Sequence, residues 1–215
     1  MTVVTIRGQL GSGAPEVGKQ VADRLHADYV DREIIAEVAA RLQRQEQEVI
    51  AKEMPPSSLL GRIAEALGST YGFGEGFAGA YLPISQMPLD DTRYLQALEA
   101  VVRGLARREP LVISGRGSHF ILKDYPGALH VLVVAPLEVR VNRLVQQRKL
   151  DPETAKLEID HSDKSLREFI KRYFDAELED PTHYDLVVNT DHFSFQAAAS
   201  IVVDALALKN QVMTP

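Results

Sequence analysis

The segment Gly8-Gln9-Leu10-Gly11-Ser12-Gly13-Ala14-Pro15-Glu16 does most to limit what this chain can fold into. It follows the β-branched run Val3 to Ile6 and opens an apolar-periodic stretch with Val17, Val21 and Leu25. A strand, a glycine-rich turn and a helix in that order aim backbone N–H groups and a helix N-terminus at an anion. The spacing Gly8-x-x-x-x-Gly13 fits the start of a G-x-x-x-x-G-K-S/T phosphate loop. The two positions that follow hold Ala14 and Pro15. Backbone donors are thus expected from Gly8, Gly11, Ser12, Gly13 and Ala14, without the lysine charge or the Mg²⁺-holding hydroxyl. Pro15 also removes an N–H. Gly13 to Lys19 spells the motif a second time, but about 9 Å of helix at 1.5 Å per residue separates its ends. Lys19 is therefore read as a solvated helix lysine, and Ser12 as a candidate helix cap.

Five apolar runs read as buried strands: Val3 to Ile6, Asp28 to Val30, Leu111 to Ser114, Leu129 to Val134 and Leu186 to Val188. They are nearly continuous, as in parallel strands covered on both faces. Helical patterns lie between them, at Gly18 to His26, Arg32 to Gln45, Thr92 to Arg107 and Pro136 to Gln147. Asp151 to Tyr173 holds one or two more, and Phe195 to Leu208 closes the series. This alternation implies a doubly wound α/β fold, whose ligands bind at the carboxyl ends of the strands. Met54 to Asp91 breaks it with Pro55-Pro56 and glycines alternating with aromatics from Gly72 to Tyr81. That stretch reads as a flap, a surface excursion or a subunit contact.

The chain has 215 residues, enough to bury a core without staples. It contains no cysteine, which excludes disulfides and thiol chemistry. A net charge of −6 argues against general nucleic-acid binding. No signal-like segment and no membrane-spanning run is legible, so a cytoplasmic protein without membrane partners is expected. A homo-oligomer is left open. The histidines show no metal-ligand spacing, and no protein metal site is expected.

Phosphate chemistry needs positioned cations, and arginine suits bidentate phosphate contacts. Arg116 follows a strand, where ligands bind. Arg140, Arg143 and Arg148 follow the fourth strand, and Arg167, Lys171 and Arg172 lie on the next helix. Each alone is equally a surface ion-pair residue. Asp31 ends the second strand beside Arg32 and either faces an acceptor pocket or caps the following helix. Glu16 suits a helix N-terminus. Asp163 and Arg167 are spaced for an intrahelical ion pair.

Gly8 to Gly18 resembles the opening loop of cytidylate-kinase-like proteins, relatives of the nucleoside-monophosphate kinases. The resemblance continues at Tyr29-Val30-Asp31-Arg32-Glu33-Ile34-Ile35, at Val112-Ile113-Ser114-Gly115-Arg116-Gly117 and at Ala135 to Arg143. It ends with Asp180-Pro181-Thr182-His183-Tyr184-Asp185-Leu186-Val187-Val188-Asn189-Thr190. It implies one P-loop domain over residues 1–215, with a five-stranded parallel sheet and helices on both faces. It further implies a flexible insertion at 54–91, a helical lid around 140–175, and a nucleotide donor at the first loop. Two departures stand out. The family commonly has Gly-Arg where this chain has Ala14-Pro15. Cytidylate kinases carry Asp where this chain has Gly117.

The resulting expectation is phosphoryl transfer from ATP or GTP, with Mg²⁺, to a nucleoside monophosphate or similar small acceptor. Gly8 to Ala14 would cradle the donor. Asp31, Arg32 and Arg116 would hold the acceptor. Arg116, Arg140, Arg143, Arg167 and Arg172 would neutralise charge. The alternative is a non-catalytic nucleotide- or anion-binding protein with a degenerate loop.

Overall fold

The computed structural model describes residues 2–31, 33–53, 90–108 and 110–212. Arg32 and nearly all of the 54–91 insertion therefore lie outside the described residues.

The strands are β1 (Val3–Gly8), β2 (Asp28–Val30), β3 (Leu111–Ser114), β4 (Ala128–Val134) and β5 (Leu186–Asn189). They form one parallel sheet in the order β2-β3-β1-β4-β5. The described helices are α1 (Ala14–Leu25), α2 (Glu33–Leu42), α3 (Glu46–Glu53), α4 (Asp91–Ala106) and α5 (Ser118–Ile121). They continue with α6 (Leu137–Arg148), α7 (Pro152–Phe174) and α8 (Phe195–Val212). All five expected strands are present. Their near-continuous apolar sequence is explained by two cores, one on each face. Val4, Ile6 and Val133 pack with Val17 of α1 and Val202 of α8. Val3 and Ile113 pack with Ile34 of α2, Leu98 of α4 and Ile170 of α7.

Helix α1 begins at Ala14, earlier than the expected Gly18. Pro15 is tolerated there because first-turn N–H groups have no intrahelical acceptor. The N-cap is Gly13, at φ 86, with no side-chain cap. Ser12 therefore does not fill the capping role. Asp151 to Tyr173 resolves as one helix, started by the Asp151 carboxylate accepting from Thr154 N–H at 2.9 Å. A small third cluster, Leu144 of α6 with Ala155 and Ile159 of α7, joins these two helices.

Register aligns the carboxyl ends of the central strands. Ile6 lies beside Ser114, and Gly8 beside Val133. The phosphate loop and the β3 exit thus open on the same edge of the sheet.

Candidate active site

The loop after β1 is fitted to glycine at three positions. A Cβ at Gly8 would stand 2.4 Å from Ser12 Oγ and 2.9 Å from the Val133 carbonyl oxygen. Gly11 has φ +80, and a Cβ there would meet Arg140 Cβ at 3.0 Å. Gly13, at φ +86, lies so near the Phe195 ring that a Cβ would be 2.2 Å from Cε1. Glycine alone accepts both this backbone and this crowding. Ser12 closes the turn by donating its N–H to the Gln9 carbonyl at 3.0 Å. Its hydroxyl is sealed from solvent. Ser12 thus has its N–H turned inward, away from the donor role expected for it. The first intrahelical bond of α1 runs from Val17 N–H to the Gly13 carbonyl at 2.9 Å. Donors ahead of Val17 have no intrahelical acceptor, the usual basis of an anion site at a helix start.

Arg143 buttresses this loop from behind. Its guanidinium donates to the carbonyls of Gly11 and Ser12, each at 3.2 Å, and to the carbonyl of Thr190 at 2.7 Å. It also lies 5.0 Å from the centroid of the Phe195 ring. Arg140 donates to the Asp163 carboxylate at 2.8 Å, and both side chains are buried. The pair joins α6 to α7, and the same guanidinium reaches the Leu10 carbonyl at 3.4 Å. The helical spacing of Asp163 and Arg167 is misleading, because Arg167 pairs instead with Glu179 at 2.7 Å. Arg172 pairs with Asp91, which also holds Lys52 and Tyr173. Its partners hold the Asp91 carboxyl below the ordinary range against the opposing effect of burial. Arg148 pairs with Glu158 on the surface, and Lys19 is exposed beside the Tyr29 ring. The arginines expected to form one lid thus divide into loop supports (Arg140, Arg143) and outer ion pairs (Arg148, Arg167, Arg172).

Arg116 differs from these. The turn Gly115-Arg116-Gly117 has three successive positive φ angles, 75°, 52° and 66°. This backbone is unfavourable for arginine and turns the chain sharply at the sheet edge. The Arg116 guanidinium donates to the Asp31 carboxylate at 2.5 Å. Asp31 is thus joined to Arg116, and its own N–H is bonded to Glu33 Oε2 at 3.0 Å. That bond holds the Glu33 carboxyl below its ordinary value. A Cβ at Gly117 would lie 2.2 Å from Phe174, which leaves no room for aspartate there.

Two cavities flank this region and share a wall. One of about 220 Å³ is lined by Arg7, Asp31, Arg116, Ser162, Ser165 and Phe169, among others. The other, of about 210 Å³, borders the loop from Gly8 to Gly11 together with Ala14 and Pro15. Arg7, Ser114, Gly115, Ser162 and Leu166 border both. The two halves of this cleft region therefore adjoin, one at the phosphate loop and the other at the Asp31–Arg116 pair. A further hollow of about 160 Å³ lies outside the loop against Arg143, Gln147 and Phe195.

The residues at the loop do not fit a protein-bound Mg²⁺. Ala14 and Pro15 have no metal-binding oxygen in their side chains, and the Ser12 hydroxyl is enclosed. Among the described residues, no group of three or more His, Cys, Asp or Glu side chains is arranged to hold a metal.

Sequence reasoning passed over Arg7, Thr190 and Phe195. Arg7 had a legible signal, since it stands directly before Gly8 near the carboxyl end of a strand. Thr190 and Phe195 act only through contacts made across the fold.

A parallel sheet, a glycine loop entering α1 and a cleft at the carboxyl edge define a P-loop kinase fold. A crystal structure of an uncharacterized protein from Eubacterium ventriosum superposes with a TM-score of 0.68 at 16% identity, covering 96% of this chain and 99% of that one. Shikimate kinase from Acinetobacter baumannii, in complex with shikimate, gives a TM-score of 0.50 at 16% identity, over 99% and 96% of the two chains. The chain belongs to the cytidylate kinase-like family, whose model matches residues 3–192. A cytidylate kinase from Haloarcula marismortui is 23% identical over 205 residues, covering 95% of this chain and 88% of that protein. No described helix is long and apolar enough to cross a membrane.

Proposed function

We propose that this protein transfers a phosphoryl group from ATP or GTP to a nucleoside monophosphate or a similar small phosphorylated acceptor. The observation that carries the reading is the pair of adjoining cavities, one at the glycine loop and one at the Asp31–Arg116 pair, that share Arg7, Ser114 and Gly115 in their lining. Family membership and the kinase fold support the same class of reaction.

In this mechanism the loop and the start of α1 hold the donor phosphates by backbone N–H groups. An acceptor phosphate oxygen attacks the terminal phosphorus, and the bond to the bridging oxygen breaks. The departing nucleoside diphosphate keeps that electron pair. Arg116 holds the acceptor phosphate, and Asp31 fixes the guanidinium. Arg32, which follows Asp31 in the chain, is assigned to the acceptor by this reading. Such chemistry depends mostly on positioning and charge neutralisation. Arg140 and Arg143 serve it indirectly, by holding the loop's shape. Arg167 and Arg172 would contribute directly only by exchanging Glu179 and Asp91 for phosphate. The serines of α7 and the Phe169 ring offer polar and apolar walls for the rest of the acceptor.

A second reading is retained for one reason. Ala14-Pro15 removes both the charge and the hydroxyl that favour turnover, which suits a binding protein. Calorimetric titration with nucleoside mono-, di- and triphosphates, with and without Mg²⁺, followed by a coupled turnover assay, separates the two. The kinase reading expects acceptor-dependent diphosphate release, roughly tenfold or more below the usual 1–100 s⁻¹. Binding without release supports the second reading, and no nucleotide binding overturns both.

A further inference from the structure

We infer that Arg7 supplies the phosphate-neutralising charge that a lysine at position 14 supplies in an intact loop. The inference rests on the proposed kinase reading and adds a residue and a direction of approach to it.

Arg7 is the penultimate residue of β1, immediately before the first loop glycine. Strand alternation places it on the same sheet face as Val3 and Thr5. It borders both halves of the cleft. Among the described residues, it is the sole Lys or Arg bordering the half beside Gly8, Gly11, Ala14 and Pro15. Arg116 borders only the acceptor half and is joined to Asp31. Arg140, Arg167 and Arg172 lie against Asp163, Glu179 and Asp91, and Arg143 and Arg148 border the separate hollow outside the loop.

The guanidinium position is visible from its neighbour. A Cβ built on Gly115 would lie 2.8 Å from an Arg7 terminal nitrogen. Arg7 therefore reaches across the β1–β3 edge to the turn that carries Arg116, and the absent side chain at Gly115 makes the space. In an intact loop the lysine arrives from the helix side, one residue after the last glycine. Here the charge arrives from the strand side, at the boundary of the donor and acceptor halves. A planar fork of N–H donors at that boundary suits oxygens of two neighbouring phosphates.

The test is calorimetric titration of the full chain with ATP and with ADP, for the wild type, Arg7→Gln and Arg7→Lys. If Arg7 meets the terminal phosphate, Arg7→Gln weakens ATP tenfold or more and ADP threefold or less. Arg7→Lys keeps the charge and is expected to keep the preference for ATP over ADP. This ratio distinguishes the inference from a purely structural role, which would weaken both nucleotides alike. Equal losses, or unchanged ATP affinity in Arg7→Gln, overturn the inference and leave the proposed function standing. Should Arg7→Gln fail to fold, loss of the ATP preference in folded Arg7→Lys overturns it as well. A wild-type chain that binds neither nucleotide removes the proposed function and this inference together.

Discussion

The Thr190 hydroxyl donates to the Ser12 carbonyl at 2.6 Å, tying the exit of β5 to the turn of the phosphate loop. The same hydroxyl accepts from Arg143 at 2.9 Å. Loop shape is thus set by residues far away in sequence. Thr190→Val keeps the size and removes the hydroxyl, leaving both partners short of a bond. A loss of about 1–3 kcal/mol in unfolding free energy is expected, with Thr190→Ser losing much less. Urea denaturation measures both, and equal losses would show that the methyl, rather than the hydroxyl, matters.

Gly13 faces the ring of Phe195 with φ at +86°. Gly13→Ala must strain the backbone and move the ring, so it should destabilise the fold by about 2 kcal/mol or more. Phe195→Ala relieves the second effect and leaves the first. The double variant Gly13→Ala with Phe195→Ala should therefore be more stable than the sum of the single losses implies. Strict additivity in denaturation experiments would exclude the ring as the source of the constraint.

Arg116 combines an unfavourable φ of 52° with a place in the cleft. Arg116→Gly suits the turn but deletes the guanidinium. It should fold at least as well as Arg116→Ala, because glycine accepts the left-handed region. Both variants should bind nucleoside monophosphates more weakly by about 1.5–3 kcal/mol, the range for charge-assisted hydrogen bonds. Thermal melts paired with titrations check the two halves separately. Undiminished binding would assign Arg116 to the architecture of the turn.

The fold was legible because apolar β-branched runs and the glycine loop are local signals. The placement of candidate site residues was legible only where it follows from a residue's own strand. Arg116 and Asp31 belong to that class, since each lies at the carboxyl end of a strand and the sheet order makes β2 and β3 neighbours. Arg140 and Arg143 do not. Their helical spacing shows that they share a face, but not that the face lies against Leu10, Gly11 and Ser12. Asp163 likewise has a plausible partner four residues on and takes a distant one, because α6 packs against α7. Ion-pair choice is decided by packing that no short window contains.

His119 supplies a prediction about acid. The imidazole lies under the stacked ring of Tyr184 and is almost fully buried. Burial first, then the charges of Arg7, His130 and His183, lower its pKa from 6.5 to about 3. In the unfolded chain the group returns to its ordinary value. Between these two values the unfolded state holds more protons, so stability rises with pH across that window. It is lost as pH falls below about 6.5, and by about pH 5 the single group accounts for roughly 2 kcal/mol. Burial lowers His130 as well, which adds a loss of the same sign. His119 Nε2 has no hydrogen-bond partner among the described residues, so His119→Phe removes the titration without stranding a partner of that nitrogen. The variant should lose less stability than the wild type between about pH 7 and pH 5, by roughly those 2 kcal/mol. Urea midpoints at the two pH values measure the difference, and parallel losses in the two proteins would show that His119 titrates in the folded state as it does in the unfolded chain.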